Sequence, residues 1–328
     1  MAAAPWRGFA ELMTMAMRIL ILGAGGTGGY FGGRLAQAGV DVTFLVRDAR
    51  AAQLQADGLR IRSPLGDADL PVAHVTAQDL PALVAQRPFD LVILSCKAYD
   101  LDSAIEAIAP AVGEHTTVLP ILNGLRHYAA LDERFGAARV LGGLCFISAT
   151  KGEHGEILHL GKPAAMTFGE RDGSAVSARV QAFAAACAQA GIDHVASEQI
   201  AQEQWIKYSF LTALAAATCL MRAPVGAIVA TDDGRALING LYNECLWAAD
   251  AAGQPIPEAA RAKALQTLLQ VDSPLKASML RDLEAGQDVE AAQIVGDMLR
   301  RVRETGRNAP LLMAANVHLQ AYQVLRHS

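Results

Sequence analysis

No cluster of lysine or arginine appears anywhere in the 328 residues, and the formal net charge is -5. A nucleic-acid partner held by a basic footprint is thereby disfavoured. The five cysteines, Cys96, Cys145, Cys187, Cys219 and Cys245, form no C-x-x-C pair and have no neighbouring histidine at ligand spacing. That speaks against a disulfide framework and against a structural zinc site, and it fits a reducing cytoplasm. No uninterrupted apolar run reaches about 18 residues, so no membrane-spanning helix is expected. Residues 1–16 lack the continuous apolar stretch of a secretory signal. They read as a disordered leader outside the fold, and Met15 or Met17 would serve equally as a start. Internal repeats and low-complexity linkers are missing as well. What is there is a chain with 52% hydrophobic and 19% charged residues, enough for sizeable cores in two domains. The expected partner is a small molecule; the oligomeric state, a homodimer included, is left open.

The first half alternates short apolar runs with stretches of helical spacing. RILIL (18–22), DVTFLV (41–46), FDLVILS (89–95), TTVLPIL (116–122) and RVLGGL (139–144) are each of strand length and rich in Val, Ile and Leu. Such continuous apolar strands are buried on both faces, which predicts a parallel sheet covered by helices. GLRIRSPLG (58–66) and ISATKGEHGEILHLG (147–161) carry turn residues between short strands and read as hairpins added to that sheet. After about Ser197 the strand signals stop, and prolines 224, 255, 257, 274 and 310 punctuate a helical pattern. The expectation is a Rossmann-type doubly wound parallel sheet over residues 17–197, followed by an all-helical domain over 198–328. The cleft between them is the natural place for a site.

Seven glycines fall between Gly23 and Gly33. Gly23, Gly25 and Gly28 form G-x-G-x-x-G directly after a strand and at the opening of a helix. In that context the first glycine allows the tight turn, the second lets a pyrophosphate reach the backbone, and the third lets helix and strand approach. Free N–H groups at the helix start, around Gly26 and Thr27, receive the anion. The surplus glycines, Gly26, Gly29, Gly32 and Gly33, imply close packing of the helix. The next strand ends in Arg47 with no acid beside it, where an Asp or Glu would hold an NAD ribose and an Arg accommodates the 2′-phosphate of NADP. NADP(H) is the expected cofactor. A solvated arginine at a strand end is the bland alternative.

Five separated motifs resemble the ketopantoate reductases, also called 2-dehydropantoate 2-reductases. They are GAGGTGG with Arg47, CKAYD around Lys97, ILNGL around Asn123, EQWIKYSF around Lys207, and SMLRDLEAGQDVE from Ser278 to Glu290. The resemblance covers nearly everything from Met17 onward. It implies NADPH-dependent reduction of a 2-oxo acid on the route to pantothenate. It makes Lys207 the general acid that protonates the forming alkoxide and Glu290 the second essential polar group. It also implies that Ser278 holds the substrate carboxylate, that Asn123 contacts the nicotinamide end of the cofactor, and that Lys97 contacts cofactor or substrate. A proton donor within hydrogen-bond reach of the carbonyl oxygen is what the chemistry requires. Trp205 and the apolar run after Lys207 predict that its helix is buried.

The departures from the family pattern fall around the lysine. Asparagines four and eight residues after it, and one near the next proline, are replaced here by Leu211, Ala215 and Val225. Helical spacing puts the first two on the lysine's own face, so an apolar pocket wall is expected. Thr218 and Arg222 are candidates for replacement polarity, Arg222 as a bidentate carboxylate grip; a last-turn arginine complementing the helix end is its equal alternative. Three readings compete with a 2-dehydropantoate reductase: a reductase of a more apolar 2-oxo acid, a 3-hydroxyacid or sugar-acid dehydrogenase of the same plan, and a non-catalytic NADP(H)-binding sensor. Leu211 counts against the dehydrogenase, and Lys207 with Glu290 counts against the sensor.

Overall fold

A computed structural model describes residues 17–328; the leader assigned to residues 1–16 lies outside the described residues. The chain begins β1 (Arg18–Leu22), α1 (Gly26–Gln37), β2 (Asp41–Leu45), α2 (Asp48–Asp57), β3 (Leu59–Arg62), β4 (Ala68–Leu70), β5 (Ala73–Val75) and α3 (Leu80–Gln86). It continues β6 (Leu91–Leu94), α4 (Leu101–Ile108), β7 (Thr117–Pro120), α5 (His127–Phe135), β8 (Gly142–Lys151), β9 (Ile157–Gly169), α6 (Ala178–Gln189) and β10 (Asp193–Ala196). From there it is helical: α7 (Ile200–Met221), α8 (Val225–Val229), α9 (Gly234–Ala251), α10 (Glu258–Leu268), α11 (Ser278–Glu284), a π-helical turn over Ala292–Gly296, α12 (Asp297–Glu304) and α13 (Pro310–His327).

The parallel sheet has the order β5-β2-β1-β6-β7. Strands β1, β2, β6 and β7 are buried almost throughout because both faces are covered. In β1, Ile19 and Ile21 join the core that contains Phe31 and Phe44, whereas Leu20 points to the opposite core with Val92 and Leu94. The strand order reverses at β1, so a crevice opens at the carboxyl ends of β1 and β6. Every N-terminal motif lies there: Gly23 after β1, Lys97 after β6 and Asn123 after β7.

Two expectations about strands need correction, and one strand was not expected. The two hairpins do not extend the parallel sheet. They build a second sheet, β10-β9-β3-β4 with β8 on the other side of β9. RVLGGL is not a further parallel strand either; Val140 makes a single parallel bridge to Val118, and from Gly142 the chain runs into the ten-residue β8. The edge place in the parallel sheet goes instead to β5, whose short AHV carries too little apolar signal to be read as a strand.

The second sheet explains the surplus glycines. Helix α1 is squeezed between the two sheets. A Cβ on Gly32 would collide with Ile21 and Phe44, one on Gly33 with Leu59 and Ile61, and one on Gly29 with Ile157. In the helical part the prolines sit where the backbone needs them: Pro224 and Pro257 cap α8 and α10, and Pro310 opens α13. Helix α7 is buried nearly all round, as expected of a central helix. Its first turns bridge the two parts of the chain, since Gln204 Nε2 donates to Gly143 O at 3.1 Å and to the Tyr128 hydroxyl.

Candidate active site

The glycine turn has the geometry its spacing predicts. Gly23 adopts φ +88° and its N–H bonds Leu45 O, fastening the turn to β2. Gly28 lies so close to β1 that an added Cβ would stand 2.6 Å from Gly23 O. Gly25 is different: its Cβ position has no protein atom within 4 Å. This open cradle faces the start of α1, whose first N–H groups lack intrahelical partners by the geometry of any helix. Room and donors suited to a pyrophosphate therefore coincide. Gly26 is bare for another reason as well, because Ala149 O of β8 would lie 2.4 Å from its Cβ; Thr27 follows, half-buried, in the same turn.

Arg47 stands at the end of β2, 83% exposed at its side chain, with only a 3.3 Å contact to Asp100. A pair that exposed is worth little, so the guanidinium can be drawn to a stronger anion. Arg50, one turn on, is not among the residues expected at the site. Its Nη2 donates to Ala24 O in the glycine turn at 2.9 Å, and burial, then the nearby Arg60, lower its pKa.

At the other end of the groove, Lys207 Nζ donates to Asn123 Oδ1 at 3.0 Å and to Cys145 O at 2.6 Å. The motifs on α7 and after β7 thus meet. Asn123 reaches the lysine because Gly124, at φ +78°, brings the turn against Gln293 O of the helical part. Both partners of the ammonium are neutral, and it has no ion pair among the described residues. Burial lowers its pKa, with Cys145 and Glu290 opposing that only in part. Two of its three hydrogens are engaged, which leaves one for a substrate oxygen.

Glu290, 6% exposed, does not bond Lys207 directly. It accepts from Ala98 N at 2.9 Å and lies 3.8 Å from Lys97 Nζ. Lys97 in turn bonds Asp282 at 2.7 Å. Burial works against the Lys97 charge, but Glu290 and Asp282 more than offset it and its pKa is raised. Ser278 is the first residue of α11, and Ala277 is the cap, so the serine is not spent as a capping residue.

The apolar wall and its polar substitutes are corrected in part. Leu211 is half-buried and one turn from Lys207, but Ala215, 1% exposed, and Val225 belong to the helical core. Thr218 is buried and its hydroxyl donates to Leu214 O. Arg222 takes a left-handed conformation at the end of α7, exposed. Fifteen residues at the helical rise separate it from Lys207 by about 22 Å, so it cannot grip a small substrate there. Phe146 was not foreseen: it is 46% exposed, and its ring centroid is 5.5 Å from Lys207 Nζ.

The family model described as ketopantoate reductase PanE/ApbA matches residues 19–173, and its companion, ketopantoate reductase PanE/ApbA C terminal, matches residues 199–323. The chain belongs to the ketopantoate reductase family. It is 36% identical over 307 residues to the uncharacterized oxidoreductase YkpB of Bacillus subtilis, covering 94% of this chain and 99% of that one. It is 30% identical to a 2-dehydropantoate 2-reductase of Mesorhizobium japonicum over 89% of this chain and 92% of the relative. The crystal structure of 2-dehydropantoate 2-reductase from Geobacter metallireducens is similar at a TM-score of 0.83 and 31% identity, covering 93% of this chain and 99% of that one. Membership of this family makes the protein an oxidoreductase. Among its described residues no helix is long and apolar enough to cross a membrane.

Proposed function

We propose that this protein uses NADPH to reduce a small 2-oxo acid to the 2-hydroxy acid, with 2-dehydropantoate its first candidate. In this reading residues 17–197 hold the cofactor, and residues 198–328 supply the proton donor and the substrate wall. The observation that carries it is Lys207, a partly buried ammonium held on Asn123 and Cys145 O with one hydrogen to give. Gly23, Gly25, Gly26, Thr27 and Gly28 would hold the pyrophosphate, Arg47 the 2′-phosphate, and Asn123 the nicotinamide end. The chemistry a nicotinamide held there would supply is a hydride for the carbonyl carbon. Lys207 gives its proton to the carbonyl oxygen as negative charge develops on it. Burial favours this step, because it favours the neutral amine that remains. Glu290, fixed by Ala98 N–H and Lys97, borders the donor and opposes premature loss of that proton. The five free cysteines support a cytoplasmic setting.

Leu211 and Phe146 favour a second reading of the substrate's tail. A hydroxyl without a partner costs about 1 to 3 kcal/mol, yet an apolar wall rejects an added hydroxyl only by about a hundredfold. We therefore expect 2-dehydropantoate to be turned over and 2-oxoisovalerate, similar but hydrocarbon-tailed, to compete with it. Side-by-side kcat/KM values with NADPH test this. A 2-dehydropantoate value more than about a thousandfold the higher removes the apolar-tail reading; no turnover of any 2-oxo acid removes the function.

A further inference from the structure

The geometry points to Arg281 as the anchor for the substrate's carboxylate, an inference that rests on the reading of the protein as a 2-oxo acid reductase. Helix α11 reaches the α/β part through two side chains. Asp282 bonds Lys97 at the end of β6, and Arg281 Nη2 reaches Ser148 Oγ on β8 at 3.4 Å. The first contact is a strong ion pair. The second is at the long limit of a hydrogen bond, as is the other Arg281 contact, Nη1 to Lys276 O at 3.3 Å.

Arg281 has no ion-pair partner among the described residues, because the acids near it are already committed. Asp282 is taken by Lys97, Glu284 by Lys276 at 2.8 Å, and Glu290 by Ala98 N–H and Lys97. A planar guanidinium held by two weak neutral contacts is ready for a bidentate carboxylate.

Its tether lies on the strand that holds the proposed proton donor. Ser148 lies on β8 three residues beyond Cys145, whose carbonyl accepts from Lys207 Nζ, and two beyond Phe146, whose ring adjoins that ammonium. The guanidinium is therefore tethered to the strand whose Cys145 carbonyl positions Lys207. Ser278 is three residues before Arg281 and shares its side of α11. A 2-oxo acid with its carbonyl oxygen at Lys207 then has Arg281 and Ser278 as carboxylate contacts and Phe146 and Leu211 beside its tail.

The test is Arg281→Gln, with Arg281→Lys beside it, using NADPH and 2-oxoisovalerate. Loss of one charge-assisted contact predicts a KM for the acid raised about ten- to hundredfold in Arg281→Gln, with an intermediate rise in the lysine variant. The dissociation constant of NADPH and kcat should stay within about threefold. The methyl ester of 2-oxoisovalerate, which has no carboxylate, should show the same KM in wild type and variant. An acid KM changed less than about threefold overturns the anchor while leaving the reductase reading intact. NADPH binding weakened tenfold or more overturns it in favour of a phosphate contact. A wild-type protein that reduces no 2-oxo acid overturns both.

Discussion

Replacing Gly25 or Gly28 with alanine adds the same methyl group to the same turn, yet the two variants should fail in opposite ways. Gly25 sits at φ -89°, ψ -162°, which alanine adopts freely, and its Cβ would meet nothing within 4 Å. Without cofactor, Gly25→Ala should be as stable as wild type or gain about 0.4 to 1 kcal/mol, because alanine restricts the unfolded chain. At Gly28 the methyl would lie 2.2 Å from Ser95 Oγ and 2.6 Å from Gly23 O. The serine can rotate away, but the turn carbonyl is backbone, so strain of about 1 to 3 kcal/mol is expected. Once NADPH is added the order reverses for Gly25. On the proposed assignment its methyl would fill the cradle meant for the pyrophosphate, and each charge-assisted bond lost costs about 1.5 to 3 kcal/mol, or roughly ten- to hundredfold in Kd. Melting curves without cofactor and fluorescence titrations with NADPH separate the two effects. Gly25→Ala binding NADPH within about threefold of wild type would refute the assignment of the cradle.

Lys207→Ala should lower kcat by about 10² to 10⁴ with NADPH affinity little changed, as expected for loss of a positioned general acid; a change under about threefold would place the proton donor elsewhere. Reduction needs the ammonium form, so kcat/KM should be full at lower pH and fall as pH rises through the Lys207 pKa. Burial sets that alkaline limb below the pH of a solvated lysine, and a profile flat to the ordinary lysine range would contradict it. Arg47→Ala should erase most of a roughly ten- to hundredfold preference for NADPH over NADH; equal Kd values for the two cofactors in wild type would sink the Arg47 role.

The parallel sheet was legible because burial on both faces leaves a direct trace in RILIL and LVIL, and the prolines marked helix starts because their backbone restriction is local. The second sheet was not legible. Nothing local tells a hairpin which sheet to join; that is decided by what covers α1, and the bare faces of Gly26, Gly29 and Gly33 are the only trace it leaves in the sequence. The same limit explains β5, whose pairing to β2 is supplied by tertiary contact and not by the AHV segment itself.

For the candidate site, the contiguous motifs were legible in the sequence, whereas the contacts between motifs were not. Helical spacing correctly put Leu211 one turn from Lys207, but period alone carries no information on depth, so it extended the wall to Ala215, which the bundle buries, and made Arg222 a candidate about 22 Å away along α7. The partner of Lys207 turned out to be Asn123 and a main-chain carbonyl at Cys145. A carbonyl leaves no signature in any sequence. That choice of partners has a chemical consequence: a carboxylate bonded to the ammonium would hold its proton, while neutral acceptors orient it and leave burial free to lower its pKa. The nearby acid, Glu290, is instead tied to Ala98 N–H and Lys97. The lysine is thus positioned by dipoles and kept from full charge pairing, which is the condition a proton donor needs.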